Sequence, residues 1–274
     1  MVELPESLLI SKQINEELKG KVVRTIEVNN TNPKTLFVYP SIDFLEPNLK
    51  DTKISSAYAK GKWIFIEFNS GLIVSIAPEM GAEILFHATK ETLPKKYHFL
   101  FEFKDDTYLS LKYSGFLLLR LGTLEEQEQN RYPGKIGPTP IDDDFNEEAY
   151  LDMLDANKMI KAVLLEGTNL PGVANYYLNE ALFKSKIHPK RKANQITKGE
   201  KIELLKEIRT VLKDAISKNG RSERVDLYGN PGRYVRKIGS KDKDTPCKNC
   251  GTLIEKISVG GSNSYICPKC QPLQ

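Results

Sequence analysis

Residues 247–270 read CKNCGTLIEKISVGGSNSYICPKC and contain all four cysteines of the chain. The cysteines form two Cys-x-x-Cys pairs separated by sixteen residues: Cys247, Cys250, Cys267 and Cys270. Two such pairs at this spacing are typical of a tetrahedral Zn²⁺ site whose intervening residues form a short hairpin. The sequence therefore predicts one structural Zn²⁺ per chain in a C-terminal zinc finger over residues 241–274.

Two disulfides are the alternative use of these cysteines. The N-terminal sequence MVELPESLLISKQ carries carboxylates at Glu3 and Glu6 and has no long apolar run, so it fits neither a signal peptide nor a membrane anchor. No later segment approaches the roughly 20 apolar residues of a membrane span. We therefore expect an intracellular protein with reduced cysteines and no membrane partner, cytoplasmic or nucleoid-associated in a bacterium and nuclear in a eukaryote.

The charge of the chain is unevenly distributed. The 274 residues carry a net charge of +4, but residues 186–274 hold 20 Lys and Arg against 9 Asp and Glu. A basic C-terminal third that ends in a zinc module favours a polyanionic partner, most simply nucleic acid. A solvated charged surface is the alternative interpretation.

The first 124 residues have the pattern of a β-rich domain that follows one helix over Glu6–Leu18. Short runs rich in β-branched and aromatic residues alternate with turn residues such as Asn69-Ser-Gly71. The predicted strands are Lys62–Phe68, Leu72–Ile76, Tyr97–Phe103, Thr107–Leu111 and Phe116–Leu121. Several short strands joined by tight turns indicate a β-sandwich or a barrel.

The rest of the chain divides into a linker, a helical region and the zinc finger. Residues 125–140 are polar, include three prolines and are interpreted as the linker. Residues 141–240 then show helical spacing of apolar side chains. The predicted helices are Asn146–Leu154, Lys158–Leu165, Val173–Lys184 and Lys198–Lys218. The chain is thus a multidomain α+β protein.

The stretch GTNLPGVANYYLNEALFKSKIHPKR, residues 167–191, resembles the helix–two-turn–helix of the formamidopyrimidine-DNA glycosylase/endonuclease VIII (Fpg/Nei) family. Three further motifs match in the same order: Val2–Glu6, the Gly-Pro-x-Pro of residues 137–140, and Cys267-Pro-x-Cys270-Gln. The resemblance implies a DNA repair enzyme that is both a glycosylase (a hydrolase) and an AP lyase. It also implies a catalytic β-sandwich over residues 1–124, a DNA-binding helix–two-turn–helix domain over residues 141–240, and a monomer acting on damaged or abasic DNA.

The resemblance assigns the chemistry to the N-terminus. After removal of Met1, the α-amine of Val2 would form a Schiff base with the deoxyribose, and an α-amine, with an ordinary pKa of about 8, is partly unprotonated at neutral pH. Most members carry Pro here, so Val2 suggests an unusual Nei-like branch. Glu3 matches the acid/base carboxylate, and Glu6 matches a carboxylate that supports the N-terminus. Charge stabilisation of a helix N-terminus is the alternative role of both carboxylates.

The resemblance also implies a set of DNA contacts. Lys62, before a predicted strand, matches a lysine that binds phosphates near the lesion, and it is the alternative catalytic nucleophile if the N-terminus is not used. Asn175 matches an asparagine that hydrogen-bonds phosphates. Ser262 occupies the place of the zinc-hairpin arginine, where it offers a neutral hydrogen bond in place of a charge. His188 and Arg191 fit the family pattern in a structural role.

The residues that fill the space of a flipped base also depart from the family. Gly115 and Leu117 stand where Arg and Phe are usual, Phe116 is one place off, and Met80 lies near the usual Met. Because extruding a base costs a few kcal/mol, a weak wedge favours lesions that are bulky, unpaired or in single strands. The segment Asp226–Tyr234 also differs from the loop that holds 8-oxoguanine in the family, which again favours a Nei-like branch.

Two other functional classes stay open at this point. A catalytically weak or silent structure-specific DNA-binding protein would explain the departures at Val2, Ser262 and Gly115. It would not explain the retention of Glu3, Lys62 and Asn175. A zinc-ribbon RNA-binding or translation factor would explain the cysteines but not the N-terminal motif. The interpretation carried forward is the bifunctional glycosylase.

Overall fold

Two compact units make up the chain, and each is assembled from two stretches of sequence. The computed structural model describes residues 2–29, 34–79, 81–166 and 169–273. The N-terminal unit consists of Met1–Ile136 and Lys218–Arg233, and the helical unit consists of Gly137–Ser217 and Tyr234–Gln274. These units differ from the predicted segments, because residues 141–240 include a stretch that packs into the N-terminal unit.

The N-terminal unit combines short helices with two β-sheets. Its helices are α1 (Leu4–Leu18), α2 (Leu45–Leu49) and α3 (Leu124–Glu128). Its strands are β1 (Val23–Val28), β2 (Leu36–Tyr39), β3 (Ile54–Lys60), β4 (Trp63–Phe68), β5 (Ile73–Pro78), β6 (Glu83–His87), β7 (Phe99–Phe103), β8 (Tyr108–Lys112) and β9 (Leu117–Gly122). One sheet has the order β1-β7-β8-β6 and the other β2-β9-β5-β4-β3, in which β2 and β9 run parallel.

Local sequence explains how these elements begin and turn. Helix α1 starts with Pro5 in its first turn, and the Glu6 carboxylate accepts a hydrogen bond from the Glu3 backbone N–H at 3.0 Å, as in a capping box. Gly61 has a φ of 56° in the two-residue turn between β3 and β4. A positive φ at the first central residue is what a type II′ hairpin turn requires, and glycine adopts it without steric cost.

A shared apolar core lies between the two sheets and under α1. Ile10, Ile14 and Leu18 project from one face of α1 into a cluster with inward residues of both sheets. Leu227, from the second stretch of the unit, is fully buried in the same cluster. The predicted β-sandwich is confirmed, with a late segment of the chain completing its core.

This late segment, Lys218–Arg233, is fixed by hydrogen bonds to the first stretch. The Phe86 N–H donates to the Leu227 carbonyl at 2.8 Å, and the Leu227 N–H donates to Gln13 Oε1 at 2.9 Å. Gln13 Nε2 donates to Asp226 at 3.0 Å. Gly232 is required for close packing, since a Cβ there would lie 2.2 Å from the Gly220 carbonyl oxygen. The strand-and-turn pattern of the sequence contains no signal for this return.

The helical unit contains the predicted helices and the zinc finger. Its helices are α4 (Glu147–Met153), α5 (Ile160–Leu165), α6 (Asn175–Lys184) and α7 (Lys198–Ser217), and its hairpin strands are β10 (Glu255–Val259) and β11 (Ser262–Ile266). Helix α6 packs against both α7 and β11. The multidomain α+β class is therefore confirmed. Across the described ranges, we find no helix with the length and apolarity needed to cross a membrane.

Candidate functional site

The nitrogen of Val2 occupies a defined, buried position in the N-terminal unit. Val2 is 2% exposed, and its N–H donates to the Pro78 carbonyl at the end of β5 at 2.8 Å. Glu3 follows in an extended conformation as the N-cap of α1. Met1 lies outside the described residues. The atom predicted to become the nucleophile is thus held where β5 ends and α1 begins.

Glu3 and Glu6 are both buried and are both contacted by the late segment. The Glu6 carboxylate accepts from the Arg221 backbone N–H at 3.1 Å in addition to its bond from the Glu3 N–H. Arg221 Nη1 lies 3.5 Å from Glu3 Oε1, and both side chains are less than a tenth exposed. A buried carboxylate needs such partners, because an isolated charge is costly away from water. The structure therefore adds Arg221, which sequence reasoning missed, to the predicted carboxylate pair.

Lys62 lies in the turn that α1 holds in place. The Ser7 hydroxyl donates to the Gly61 carbonyl at 2.7 Å, and the Lys62 ammonium forms a salt bridge with Glu79, the residue after Pro78. Lys62 is about a third exposed, at 32% of its side chain. Val2, Glu3, Glu6 and Lys62 are therefore brought to one region of the N-terminal unit through α1 and the end of β5. A phosphate that binds Lys62 would compete with the Glu79 carboxylate.

Asn175 is the first residue of α6, where helix N–H groups can receive an anion. Its Oδ1 accepts from Asn179 Nδ2 at 3.3 Å, and the same Asn179 nitrogen lies 3.4 Å from the Asn263 carbonyl in the zinc hairpin. The helix start and the hairpin turn are therefore linked within the helical unit through one side chain. This link fixes Asn175 relative to the hairpin.

Lys161 is a second link between the helices and the zinc hairpin. Its side chain is fully buried, and its ammonium donates to the Asn263 carbonyl at 3.0 Å and to the Ser264 hydroxyl at 2.6 Å. Burial lowers the pKa of Lys161 to about 8. Sequence reasoning missed this residue, although a lysine inside the apolar run of α5 is a usable signal, since lysine is rarely buried without a partner.

Ser262 uses its hydroxyl inside the hairpin. Its Oγ donates to the Val259 carbonyl at 3.0 Å. The hydroxyl hydrogen is therefore engaged, and a DNA phosphate would have to displace this bond. The role of Ser262 in DNA binding stays a prediction.

The segment predicted to form a weak wedge, residues 115–117, has one outward aromatic side chain. Leu117 is 1% exposed and belongs to the core, so it does not reach solvent, whereas Phe116 is 48% exposed. Gly115 precedes them and has no side chain to insert. Met80 falls outside the described residues. The outward residue of this segment is thus Phe116, one place from the position expected by alignment.

The four cysteines converge on a site that fits a Zn²⁺ ion. Their sulfurs all lie within 4.8 Å of one another, with separations of 3.4, 3.5 and 3.9 Å for three of the pairs. Tetrahedral coordination with Zn–S bonds of about 2.3 Å places sulfurs roughly 3.8 Å apart. Phe183 of α6, Ile238 and Ile254 pack around the knuckles. The residues present can therefore hold one structural Zn²⁺.

Models of known protein families match three segments of the chain. They are the formamidopyrimidine-DNA glycosylase N-terminal domain at residues 1–113, the formamidopyrimidine-DNA glycosylase helix–two-turn–helix domain at residues 136–226, and the zinc finger found in formamidopyrimidine-DNA glycosylase and isoleucyl-tRNA synthetase at residues 245–273. The chain belongs to the formamidopyrimidine-DNA glycosylase family. Its predicted zinc finger and helix–two-turn–helix are confirmed by these matches.

Individual members of the formamidopyrimidine-DNA glycosylase family match along the whole length. The formamidopyrimidine-DNA glycosylase of Bacillus cereus is 31% identical over 281 residues, covering 99% of each chain. The Lactococcus lactis Fpg in complex with DNA containing an abasic site superposes with a TM-score of 0.88 at 27% identity, covering 98% of this chain and 99% of that one. A MutM in complex with DNA containing carbocyclic 8-oxo-G gives a TM-score of 0.87, also at 27% identity.

Removing one zinc ligand should unfold the zinc finger and leave the β-sandwich folded. We expect Cys250→Ala to lose bound zinc and DNA affinity, because a structural zinc site supplies much of the folding free energy of its small module. Elemental analysis should give one Zn per wild-type chain and far less for the variant. Lys248→Ala, in the same knuckle but not a ligand, is the matched control and should keep its metal. A wild-type chain without zinc would contradict the site.

Proposed function

We infer that the protein is a bifunctional DNA glycosylase and AP lyase of base-excision repair, which removes damaged bases through a Schiff base formed by the amine of Val2. The observation that carries this assignment is the placement of the Val2 nitrogen at Pro78, directly before the buried Glu3 carboxylate and next to the residue that pairs with Lys62. Membership in the formamidopyrimidine-DNA glycosylase family supports the same activity.

The chemistry follows from the atoms at this position. The Val2 nitrogen gives its electron pair to C1′ of the damaged nucleotide, and the C1′–base bond breaks with its electron pair leaving on the base. Glu3 takes the first proton from the substituted nitrogen and delivers it to O4′. The C1′–O4′ bond then opens with its electron pair on the O4′ hydroxyl, and the nitrogen electron pair forms a protonated C1′=N Schiff base. Removal of a C2′ proton then expels the 3′ phosphate, which cuts the strand.

Arg221 is a positioning residue in this proposal. Its guanidinium lies beside Glu3 and its backbone N–H binds Glu6, so one residue of the late segment orients both carboxylates. A carboxylate fixed by buried partners keeps one geometry relative to α1 and the Val2 nitrogen. Catalytic groups depend on such support because small displacements lose rate steeply.

Lys62, Asn175 and the zinc hairpin are proposed to contact the DNA backbone. Lys62 would bring a charge to phosphate after exchange with Glu79, and Asn175 would use an amide at a helix N-terminus. We further propose that the protein acts as a monomer. We also propose that it prefers lesions that are bulky, unpaired or in single strands, because, among the described wedge positions, Phe116 is exposed whereas Gly115 has no side chain and Leu117 is buried.

A structure-specific DNA-binding protein without strong catalysis is the second candidate. The observation in its favour is the zinc hairpin, where the Ser262 hydroxyl is engaged by Val259 in place of a charged contact. The two candidates make opposite predictions for covalent chemistry, since only an enzyme forms a Schiff base.

Borohydride trapping on an oligonucleotide with an abasic site distinguishes them. The enzyme should form a stable covalent adduct, because borohydride reduces the C1′=N bond to an amine. Mass spectrometry should locate the adduct at Val2. An adduct at Lys62 would replace Val2 by an internal nucleophile, and the absence of any adduct would favour the silent DNA-binding protein.

The phosphate contacts predict a specific salt response. Log affinity for duplex DNA should fall by about 0.9 per log unit of salt for each phosphate neutralised. Lys62→Ala should weaken binding to all sequences alike and lower this slope by about one unit, whereas Asn175→Ala should weaken binding with the slope unchanged because the amide is neutral. Fluorescence anisotropy over a salt series measures both quantities. Lys12→Ala, an exposed lysine of α1, is the control, and an identical slope for Lys62→Ala would exclude Lys62 as a phosphate ligand.

A further inference from the structure

The outward face of the five-stranded sheet carries aromatic side chains where a solvated face usually carries polar ones. On β2, Phe37 and Tyr39 point away from the core and are 50% and 51% exposed. Leu118 and Arg120 of β9 are their register partners on the same face. The inward positions of these strands hold buried leucines and the partly buried Val38, so the outward aromatic residues do not contribute to the core.

These residues line one groove. We call it the aromatic groove and define it by Phe37, Tyr39, Phe116, Arg120 and Tyr132. Its volume is about 690 Å³, within the roughly 300–1,000 Å³ of sites that hold small ligands. The rings of Phe37 and Phe116 stack with centroids 6.1 Å apart and planes 25° apart. They form an exposed platform, since both are about half exposed.

A cation stands at the other end of the aromatic groove. The Arg120 guanidinium lies 4.1 Å from the centroid of Tyr39, and its Nη1 donates to the Tyr132 carbonyl at 2.5 Å. Its buried Nε has no hydrogen-bond partner among the residues that the structure describes. Burial lowers the pKa of Arg120. The aromatic groove thus combines flat apolar rings with a guanidinium that has one N–H group, at Nε, without a hydrogen-bond partner among the described residues.

The aromatic groove is continuous with the candidate active site. Glu79 and Trp63 are also part of its lining. Glu79 pairs with Lys62 and follows Pro78, the residue whose carbonyl holds the Val2 nitrogen. Glu79 therefore belongs both to the lining of the aromatic groove and to the candidate active site.

We propose that the aromatic groove binds an unpaired nucleobase of the DNA by stacking. This inference rests on the proposed function in one respect, namely that the ligand is DNA. Aromatic side chains and arginine planes accept any base because every base has a π face. The Glu79 carboxylate disfavours a phosphate in the same space but can accept a hydrogen bond from an amino or imino N–H of a base. The groove would therefore hold a base of a single-stranded or unpaired segment beside the lesion.

The test uses two probes with the same backbone charge. One is an oligothymidylate of about eight nucleotides, a length within the roughly 4–16 nucleotides of known single-strand sites. The other is the same backbone made of abasic units, which has no bases to stack. Wild-type protein should bind the first more tightly. Trp63, the only tryptophan of the chain, lines the groove and should report that binding by a change in fluorescence.

Three variants of the aromatic groove and one control outside it test the stacking. Phe37→Ala and Phe116→Ala should each weaken oligothymidylate binding by about 5- to 150-fold, the range found for losing one stacked base, and leave binding of the abasic probe unchanged. Phe116→Trp should bind oligothymidylate about as tightly as wild type, unlike Phe116→Ala, because tryptophan keeps a π face. Phe44→Ala removes an aromatic side chain of the same unit that is 53% exposed and lies outside the groove, so it should change nothing.

Equal affinity of wild type and Phe37→Ala for oligothymidylate would overturn the proposal. Oligothymidylate binding by Phe116→Leu at the wild-type affinity would also overturn it, because leucine is apolar but has no π face on which a base can stack. Borohydride trapping of the wild type on an abasic duplex runs in parallel. If no adduct is trapped, the Schiff-base function is contradicted but the stacking proposal is not. If an adduct is trapped and the groove variants bind oligothymidylate as well as wild type, only the stacking proposal is contradicted.

Discussion

A form of the protein that retains Met1, or carries an N-terminal tag, should bind abasic DNA but fail to cut it. An acylated Val2 nitrogen has no electron pair available for C1′, whereas Lys62, Asn175 and the zinc finger are untouched. Loss of a covalent nucleophile costs up to about 10⁶-fold in rate in a well-studied hydrolase. We therefore expect strand cutting to fall to background and the borohydride adduct to disappear, with affinity changed little.

The matched control is a tag that a protease removes to leave Val2 first. Removal should restore both cutting and trapping in the same preparation. Val2→Pro with Met1 removed should keep activity, because a secondary amine also condenses with the sugar. If the blocked protein cuts abasic DNA as fast as the unblocked one, the N-terminal mechanism is wrong and an internal lysine must be sought.

Glu3→Gln should separate base excision from Schiff-base formation. The amide keeps the shape of the side chain and an oxygen that can accept from Arg221, so the fold around α1 should persist. It cannot shuttle a proton, and general acid–base catalysis contributes about 10²–10⁴-fold. We expect excision from a damaged duplex to fall by this factor, while abasic DNA still gives some trapped adduct.

Single-turnover excision rates measure this effect directly. Glu16→Gln changes an exposed carboxylate on the same helix and should leave the rate unchanged, which isolates the role of Glu3 from net charge. Thermal unfolding of both variants checks that the core is intact. Excision at the wild-type rate by Glu3→Gln would assign Glu3 to helix capping and require another proton donor.

The parts of the molecule that sequence predicts well are those set by local spacing. Two Cys-x-x-Cys pairs specify a zinc site because each pair forms its own knuckle, and the sulfurs lie together as expected. The helix predicted at Lys198–Lys218 lies at Lys198–Ser217, since its apolar residues recur with the period of one buried helical face. The candidate site residues Val2, Glu3 and Glu6 came from the resemblance of the N-terminal motif to the family, and their catalytic roles stay a prediction.

The parts that sequence missed depend on contacts between distant positions. Arg221 approaches Glu3 across 218 residues of chain, and no pattern in either segment reveals that pairing. Strand β2 reads as an apolar run and pairs in parallel with β9, so its outward aromatic residues resemble core residues until the sheet is seen. The partner of the buried Lys161 could not be predicted, because its ammonium donates to the Asn263 carbonyl, which is 102 residues away in the zinc hairpin.

The late segment Lys218–Arg233 has a consequence for how the protein is made. The N-terminal unit lacks Leu227 in its core and Arg221 beside its carboxylates until the ribosome has passed residue 233. Chain growth at about 5–20 residues per second separates that moment from the synthesis of residue 136 by roughly 5 to 20 seconds. During this interval the nascent β-sandwich is incomplete. A gene truncated at the end of α7, after Ser217, would therefore encode an N-terminal unit that cannot complete its own core.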